Sequence, residues 1–170
     1  MRAFDRPTSL RRPAGLVLIL AALAACGRDG GTGPSSLSGT YTLATVNGSP
    51  PPTTAAATLQ GATYNARFDA GCCSVTLSAD GSYQRSVRAQ VSQSGFPFAV
   101  PVIADDRGRY AKADAGSLRF ISTASNVTVA GQAYASAQVD TSIATVSGKR
   151  LTFGSGPAIG LVATLVFAKP

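Results

Sequence analysis

The clearest secondary-structure pattern in the sequence is Ser82-Tyr-Gln-Arg-Ser-Val-Arg-Ala-Gln-Val-Ser92. Its Tyr, Val, Ala and Val occupy alternate positions, and Ser, Gln and Arg lie between them. Successive side chains of a strand point to opposite faces, so this alternation predicts a half-buried strand over 82–92, with Arg85 interrupting its apolar face. Asp80-Gly81 directly before it is typical of a tight hairpin turn, because a positive φ costs glycine little.

The same alternation recurs from Leu37 onward, and no 3.6-residue apolar period is sustained over a helix length. We predict strands at 38–46, 56–68, 74–79, 82–92, 107–113, 117–122, 126–134, 138–146, 149–154 and 161–168. Three consecutive prolines over Ser49–Pro52 exclude a central strand there. The sequence therefore predicts an all-β antiparallel meander closed into a roughly eight-stranded barrel, because closure removes exposed strand edges. A β-sandwich is the alternative.

Residues 1–25 have the organisation of an export signal. The basic stretch Met1–Pro13 is followed by the apolar run Ala14–Ala22, which is far shorter than the roughly 20 residues that span a bilayer. Leu23-Ala24-Ala25-Cys26 comes next and resembles the cleavage and lipidation box of bacterial lipoprotein precursors. The resemblance implies that residues 1–25 are a signal peptide and that Cys26 is acylated, palmitate being one such chain, and anchors the protein in a lipid bilayer.

The remaining chain divides into a tether and one domain. Residues 26–36 comprise the lipidated Cys and a Gly- and Ser-rich tether with an end-to-end distance of about 17 Å, and residues 37–170 form the barrel domain. Gly27 follows the cysteine where an Asp would retain a lipoprotein at the inner membrane, so the resemblance implies the outer membrane of a bacterial cell envelope. The net charge of +7 includes four arginines and one aspartate of the signal. The other arginines are dispersed, and nucleic acid is not expected as a partner.

A short repeated motif, Gly-x-Tyr with the tyrosine in a predicted strand, occurs three times: Gly39-Thr40-Tyr41, Gly81-Ser82-Tyr83 and Gly108-Arg109-Tyr110. Glycine relieves crowding within a strand, and tyrosine can bury its ring while its hydroxyl reaches the rim. With the turn at Ala79–Tyr83 and the closing segments Ser147–Phe153 and Leu165–Lys169, the chain resembles small lipocalin-like lipoproteins over about residues 38–169. This resemblance implies an eight-stranded barrel.

The composition argues against catalysis. The chain has no histidine, which excludes Ser-His-Asp triads and imidazole metal sites, and every carboxylate side chain is an aspartate. Asp105-Asp106 lacks the regular oxygen-ligand spacing of a calcium site and is expected in a solvated loop. We therefore predict a protein that is not an enzyme, with no catalytic residue, no metal and no cofactor.

Cys72-Cys73 is an unusual adjacent pair. An exported compartment permits its oxidation, and Gly71 could supply the distorted turn that a bond between neighbouring cysteines demands. We hypothesise a vicinal disulfide. Free buried thiols and pairing with another chain remain open alternatives.

Two functions follow from this architecture. The first is binding of a small apolar or amphipathic ligand in a barrel cavity, and the aromatics expected to line it, unless they are plain core, are Tyr41, Tyr64, Phe68, Tyr83, Tyr110, Phe120 and Phe153. The alternative is an envelope structural or protein-interaction module, for example an inhibitor of a periplasmic enzyme, that acts through the loop Gln93–Pro101, which presents Phe96 and Phe98.

Overall fold

A computed structural model describes residues 34–59, 62–93, 96, 98–136, 140–154 and 163–170. Cys26, with the predicted signal peptide and most of the tether, lies outside the described residues. The elements in chain order are α1 Pro34–Leu37, β1 Gly39–Val46, β2 Thr53–Leu59, β3 Ala62–Phe68, β4 Ser74–Leu77, β5 Ser82–Ser92, β6 Ala99–Lys112, β7 Ser117–Val129, β8 Gln132–Ser136, β9 Thr141–Ser147, β10 Arg150–Phe153 and β11 Leu165–Ala168.

Eight of these strands close into a barrel. Each pairs antiparallel with the next in the order β1, β4, β5, β6, β7, β9, β10 and β11, and β11 pairs with β1 to complete the circuit. The structure confirms the all-β prediction and the eight-stranded antiparallel meander. We call the end where β1 begins the lower end and the opposite end the upper end.

Three strands extend beyond the barrel at its upper end and form part of an open sheet there. β5, β6 and β7 have 11, 14 and 13 residues, and their upper parts continue past the barrel. There β3 pairs with β5, β2 pairs with β3, and β8 pairs with β7. We call this six-stranded region, β2-β3-β5-β6-β7-β8, the upper sheet.

Several predicted boundaries differ from the structure. The predicted strand 56–68 is the hairpin of β2 and β3, and β7 runs without a break through the predicted gap at 123–125. A two-residue turn joins β7 to β8, with a φ of 52° at Ala130 and 80° at Gly131. Positive φ at both positions suits a tight hairpin, but alanine rarely adopts it, so the sequence carried little signal for this turn.

The expectation of a solvated loop at Asp105-Asp106 is wrong. Both residues lie inside β6, which begins at Ala99 rather than near residue 107. Adjacent strand residues point to opposite faces, so Asp105 is exposed and Asp106 is buried inside the barrel. The burial of Asp106 is possible because Arg85 of β5 lies directly opposite it in the ladder.

Candidate functional site

Six of the seven aromatics proposed either as cavity lining or as core are buried in the interior. Their exposed fractions do not exceed 4%, and they are Tyr41, Phe68, Tyr83, Tyr110, Phe120 and Phe153. Phe120 contacts three of them, with ring centroids 5.0 Å from Tyr83, 6.0 Å from Tyr110 and 5.3 Å from Phe153. Rings at these distances fill the space between facing strands, so these side chains are core.

The seventh aromatic, Tyr64, lies in the wall of an apolar pocket in the upper sheet. The pocket has a volume of about 370 Å³, and its lining residues are Tyr64, Val91, Gln93, Phe96, Phe98, Val100, Val102 and Val129. Four valines from β5, β6 and β7 face it, because the inward positions of these strands continue above the level at which the barrel closes. Tyr64 and Gln93 bring the polar side-chain atoms of this wall.

Phe96 and Phe98 stand at the mouth of this pocket. Their exposed fractions are 64% and 75%, although both also line the cavity. A large apolar side chain left in water loses the free energy that burial would provide, at roughly 25 cal/mol per Å². The mouth is therefore an apolar rim around an apolar pocket, at the end of the barrel opposite to the first residue of β1.

Below the pocket, a buried ion pair between the neighbouring strands β5 and β6 lies in the barrel interior. Arg85 Nη2 donates to Asp106 Oδ2 at 2.5 Å, and the exposed fractions of the two side chains are 4% and 3%. Tyr83 donates its hydroxyl to the same carboxylate at 2.8 Å, and Ser122 donates to its other oxygen at 2.6 Å. Arg85 Nη1 also donates to Ser142 Oγ at 3.1 Å, so the network joins β5, β6, β7 and β9.

The polar atoms of this network hydrogen-bond to one another. Each carboxylate oxygen of Asp106 accepts at least one hydrogen bond, and the Arg85 guanidinium carbon lies 5.3 Å from the Phe153 ring centroid. Burial, followed by the bond to Asp106, raises the pKa of Tyr83 and keeps its hydroxyl a donor. The hydrogen bonds of this charge pair therefore link four strands of the barrel.

The sequence predictions missed this network, although one signal was present. Arg85 interrupts an otherwise apolar face, and a buried arginine requires a carboxylate partner. Asp106 becomes that partner through the β5–β6 register, which pairs Arg85 directly with Asp106. The sequence does not show that register, because it depends on how far the connection between the two strands extends.

Cys72 and Cys73 lie where the chain passes from β3 to β4. Both are free thiols in the structure, Cys72 half-buried and Cys73 buried. Gly71 has a φ of 72° in the turn that the Cys72 N–H closes onto the Asp69 carbonyl at 3.2 Å. The vicinal disulfide stays a prediction.

Among the described residues, no helix is long and apolar enough to cross a membrane. The same part of the chain contains no group of three or more acidic or cysteine side chains that could hold a metal ion. The described geometry of the upper sheet therefore offers the apolar pocket as the candidate site.

Comparison with protein-family models, with curated proteins and with solved structures finds no match to this chain. The eight-stranded antiparallel barrel agrees with the resemblance to lipocalin-like lipoproteins, but no family model supports it. The function has to be argued from the pocket itself.

Proposed function

We propose that the protein is a lipid-anchored bacterial envelope protein whose pocket in the upper sheet binds a small apolar or amphipathic ligand without catalysing a reaction. The observation that carries the proposal is the pocket of about 370 Å³ walled by valine and aromatic side chains. This volume lies at the lower end of the range of small-molecule sites, roughly 300–1,000 Å³.

The composition of the wall selects the chemical class of the ligand. Water in the pocket meets mostly hydrocarbon, and Tyr64 and Gln93 offer it few hydrogen bonds. Displacing such water by an alkyl chain or a small ring buries apolar surface on both partners. A polar head group could remain at the mouth beside Gln93, so a single-chain amphiphile fits the arrangement.

Blocking the pocket tests this proposal. Val100 faces the cavity and the neighbouring Ala99 is exposed. We expect Val100→Trp to weaken binding of dansyl-undecanoic acid, a fluorescent alkyl chain, by about tenfold or more, because the indole occupies the space that the chain would enter. Fluorescence titration measures the affinity, and competition by palmitic acid, which has no dansyl group, shows that the fatty-acid portion of the probe is sufficient for binding.

Ala99→Trp is the matched control, since it adds the same indole one residue away on the outer face. It should leave the affinity unchanged. Equal binding to both variants, or no binding to the parent protein, would exclude the pocket as an alkyl site. Circular dichroism of both variants verifies that the β-structure is retained.

The envelope location has its own support and its own test. It is based on the signal-like residues 1–25 and the Leu-Ala-Ala-Cys box ending at Cys26. Two or more acyl chains give stable attachment, because each buried methylene contributes about 0.8 kcal/mol. The described chain enters the barrel at its lower end, opposite to the pocket in the upper sheet.

We expect labelled palmitate to be incorporated into the parent protein during growth and lost completely in Cys26→Ser. Cys72→Ser should retain the label, which makes it the control for acylation elsewhere. Membrane fractionation provides the second measurement. An unlabelled parent protein that fractionates with soluble material would overturn the lipid anchor and leave the pocket proposal intact.

The exposure of Phe96 and Phe98 favours a second candidate, an interaction surface for another envelope protein. Native mass spectrometry of protein purified from its own envelope separates the two. A bound small molecule supports the pocket. A stoichiometric protein that Phe96→Ser/Phe98→Ser releases, and that remains bound to the pocket-blocking variant Val100→Trp, supports the interaction surface.

A further inference from the structure

The join between β3 and β4 leaves a gap in the hydrogen-bond ladder of β5. Ser86 pairs with Ser74 and Gln90 pairs with Arg67, so the three residues of β5 between these pairs face six residues of the other chain segment. Arg88 lies in this gap. Its N–H donates to Cys73 Sγ at 3.5 Å, and the Cys73 thiol lies 3.5 Å from the Arg88 carbonyl oxygen, to which it can donate. The buried Cys73 sulfur thus replaces the missing backbone partner.

Cys72 faces a groove on the outer side of the same join. The groove has a volume of about 210 Å³, and its charged lining residues are Arg67, Asp69 and Arg88. Arg67 Nε contacts Asp69 Oδ1 at 3.0 Å, which leaves Arg88 as a second positive charge in the groove. The half-buried Cys72 is therefore reachable from solvent beside a site that favours anionic groups.

The two thiols differ in acidity. The interaction between the two neighbouring thiols lowers the pKa of Cys72, against opposing contributions from burial and from Asp69. The same interaction, followed by burial, raises the pKa of Cys73. Because Cys72 lines the groove and Cys73 is buried, and because the thiolate is the nucleophile, we expect Cys72 to attack first and Cys73 to react second.

We propose that Cys72 and Cys73 form a redox modification site that reacts with low-molecular-weight disulfides bearing carboxylates. The Cys72 thiolate attacks one sulfur of the disulfide, forming a mixed disulfide and releasing one thiolate. Cys73 then loses its proton to that thiolate and attacks the Cys72 sulfur, which closes the vicinal disulfide and releases the second thiolate. The protein loses two electrons and two protons, and the small disulfide is reduced to two thiols.

This site is independent of the apolar pocket and of the lipid anchor. The test uses the full chain carrying Cys26→Ala in detergent, so that the pair contributes its only cysteines. Reduced protein is mixed with glutathione disulfide, quenched with acid at intervals and analysed by intact mass. The expected product is two hydrogens lighter than the reduced protein, after a transient glutathionyl adduct.

Single variants assign the order of attack. Cys73→Ser should accumulate the glutathionyl adduct. Cys72→Ser should react at least about tenfold more slowly than the protein with both cysteines. Peptide mapping of the first adduct in the chain that retains both cysteines gives the same assignment without altering the fold, and it should place the adduct on Cys72. A first adduct on Cys73, or a stable adduct that never closes, overturns the proposal.

Arg88→Gln tests the choice of substrate. It should slow the reaction with glutathione disulfide severalfold and leave the rate with the neutral bis(2-hydroxyethyl) disulfide unchanged, because only the first carries carboxylates. Equal rates of glutathione disulfide with and without Arg88 would overturn the preference for anions.

Discussion

Asp106→Ala is expected to lower the free energy of unfolding by about 3–5 kcal/mol, because it leaves the Arg85 charge buried without its carboxylate. The exposed fraction of the Arg85 side chain is 4%, so water cannot replace the lost partner without opening the barrel. Tyr83 and Ser122 lose their acceptor in the same step. Small domains are stable by only about 5–15 kcal/mol, so this change removes a large part of the total. Urea unfolding followed by circular dichroism measures it.

Asp105→Ala is the matched control, since it removes the neighbouring carboxylate from the exposed face of the same strand. We expect a change within about 0.5 kcal/mol. The double change Arg85→Met/Asp106→Leu should recover part of the loss, because it removes both charges and refills the space with hydrocarbon, although the Tyr83 and Ser122 hydroxyls still lack their acceptor. Equal effects of Asp105→Ala and Asp106→Ala would show that the ion pair is not what stabilises this part of the barrel.

The strands that the sequence predicted best are those whose two faces differ most. β5 was predicted at 82–92 and has those bounds, because its apolar positions alternate with polar ones and Asp80-Gly81 precedes it. The predicted β6 began near residue 107 rather than at Ala99, and the reason is physical. Pro101 cannot donate to a ladder, and two adjacent aspartates resemble a loop.

The structure accommodates Pro101 inside β6 without losing a bond to β5. The carbonyl of Pro101 accepts from the Ala130 N–H at 2.9 Å, so the backbone polar groups of this residue face β7. The β6–β7 ladder ends at Val102 and Val129, directly before that point. The proline therefore lies just beyond the end of the β6–β7 ladder. This position depends on long-range strand pairing, which no local sequence pattern reveals.

The site was harder to predict than the fold. Alternation identifies which aromatics point inward, but it does not distinguish a ring in a closed barrel from one in an open sheet. Phe120 lies at a level where facing strands fill the interior with rings, whereas Tyr64 lies on β3, which joins the upper sheet. The difference arises from the lengths of β5, β6 and β7, which continue beyond the barrel. Strand length and closure, rather than residue type, thus decide where a pocket remains.

Gly108→Ala is expected to destabilise the protein by about 3 kcal/mol, at the upper end of the usual cost of overpacking. A Cβ at this position would lie 2.0 Å from the Ile121 carbonyl oxygen and 3.0 Å from the Ser122 Cα. These are backbone atoms of β7 and cannot rotate away as a side-chain tip could. The change would push β7 from β6 at the bulge after Arg107, where the two strands lose register by one residue.

The same displacement should weaken the buried ion-pair network, because the close approach at Gly108 brings Ser122 Oγ to 2.6 Å from the Asp106 carboxylate. Gly154→Ala is the matched control, since a Cβ there would meet no described atom within 4 Å. We expect it to leave the urea midpoint within the range of surface substitutions, about 0.5 kcal/mol. If Gly108→Ala were equally mild, β7 would have to shift freely at the bulge, and Gly108 would have no packing role.

The double variant Gly108→Ala/Ser122→Ala tests the link between the glycine and the ion-pair network. A loss of unfolding free energy smaller than the sum of the two single losses would show that they act as one unit.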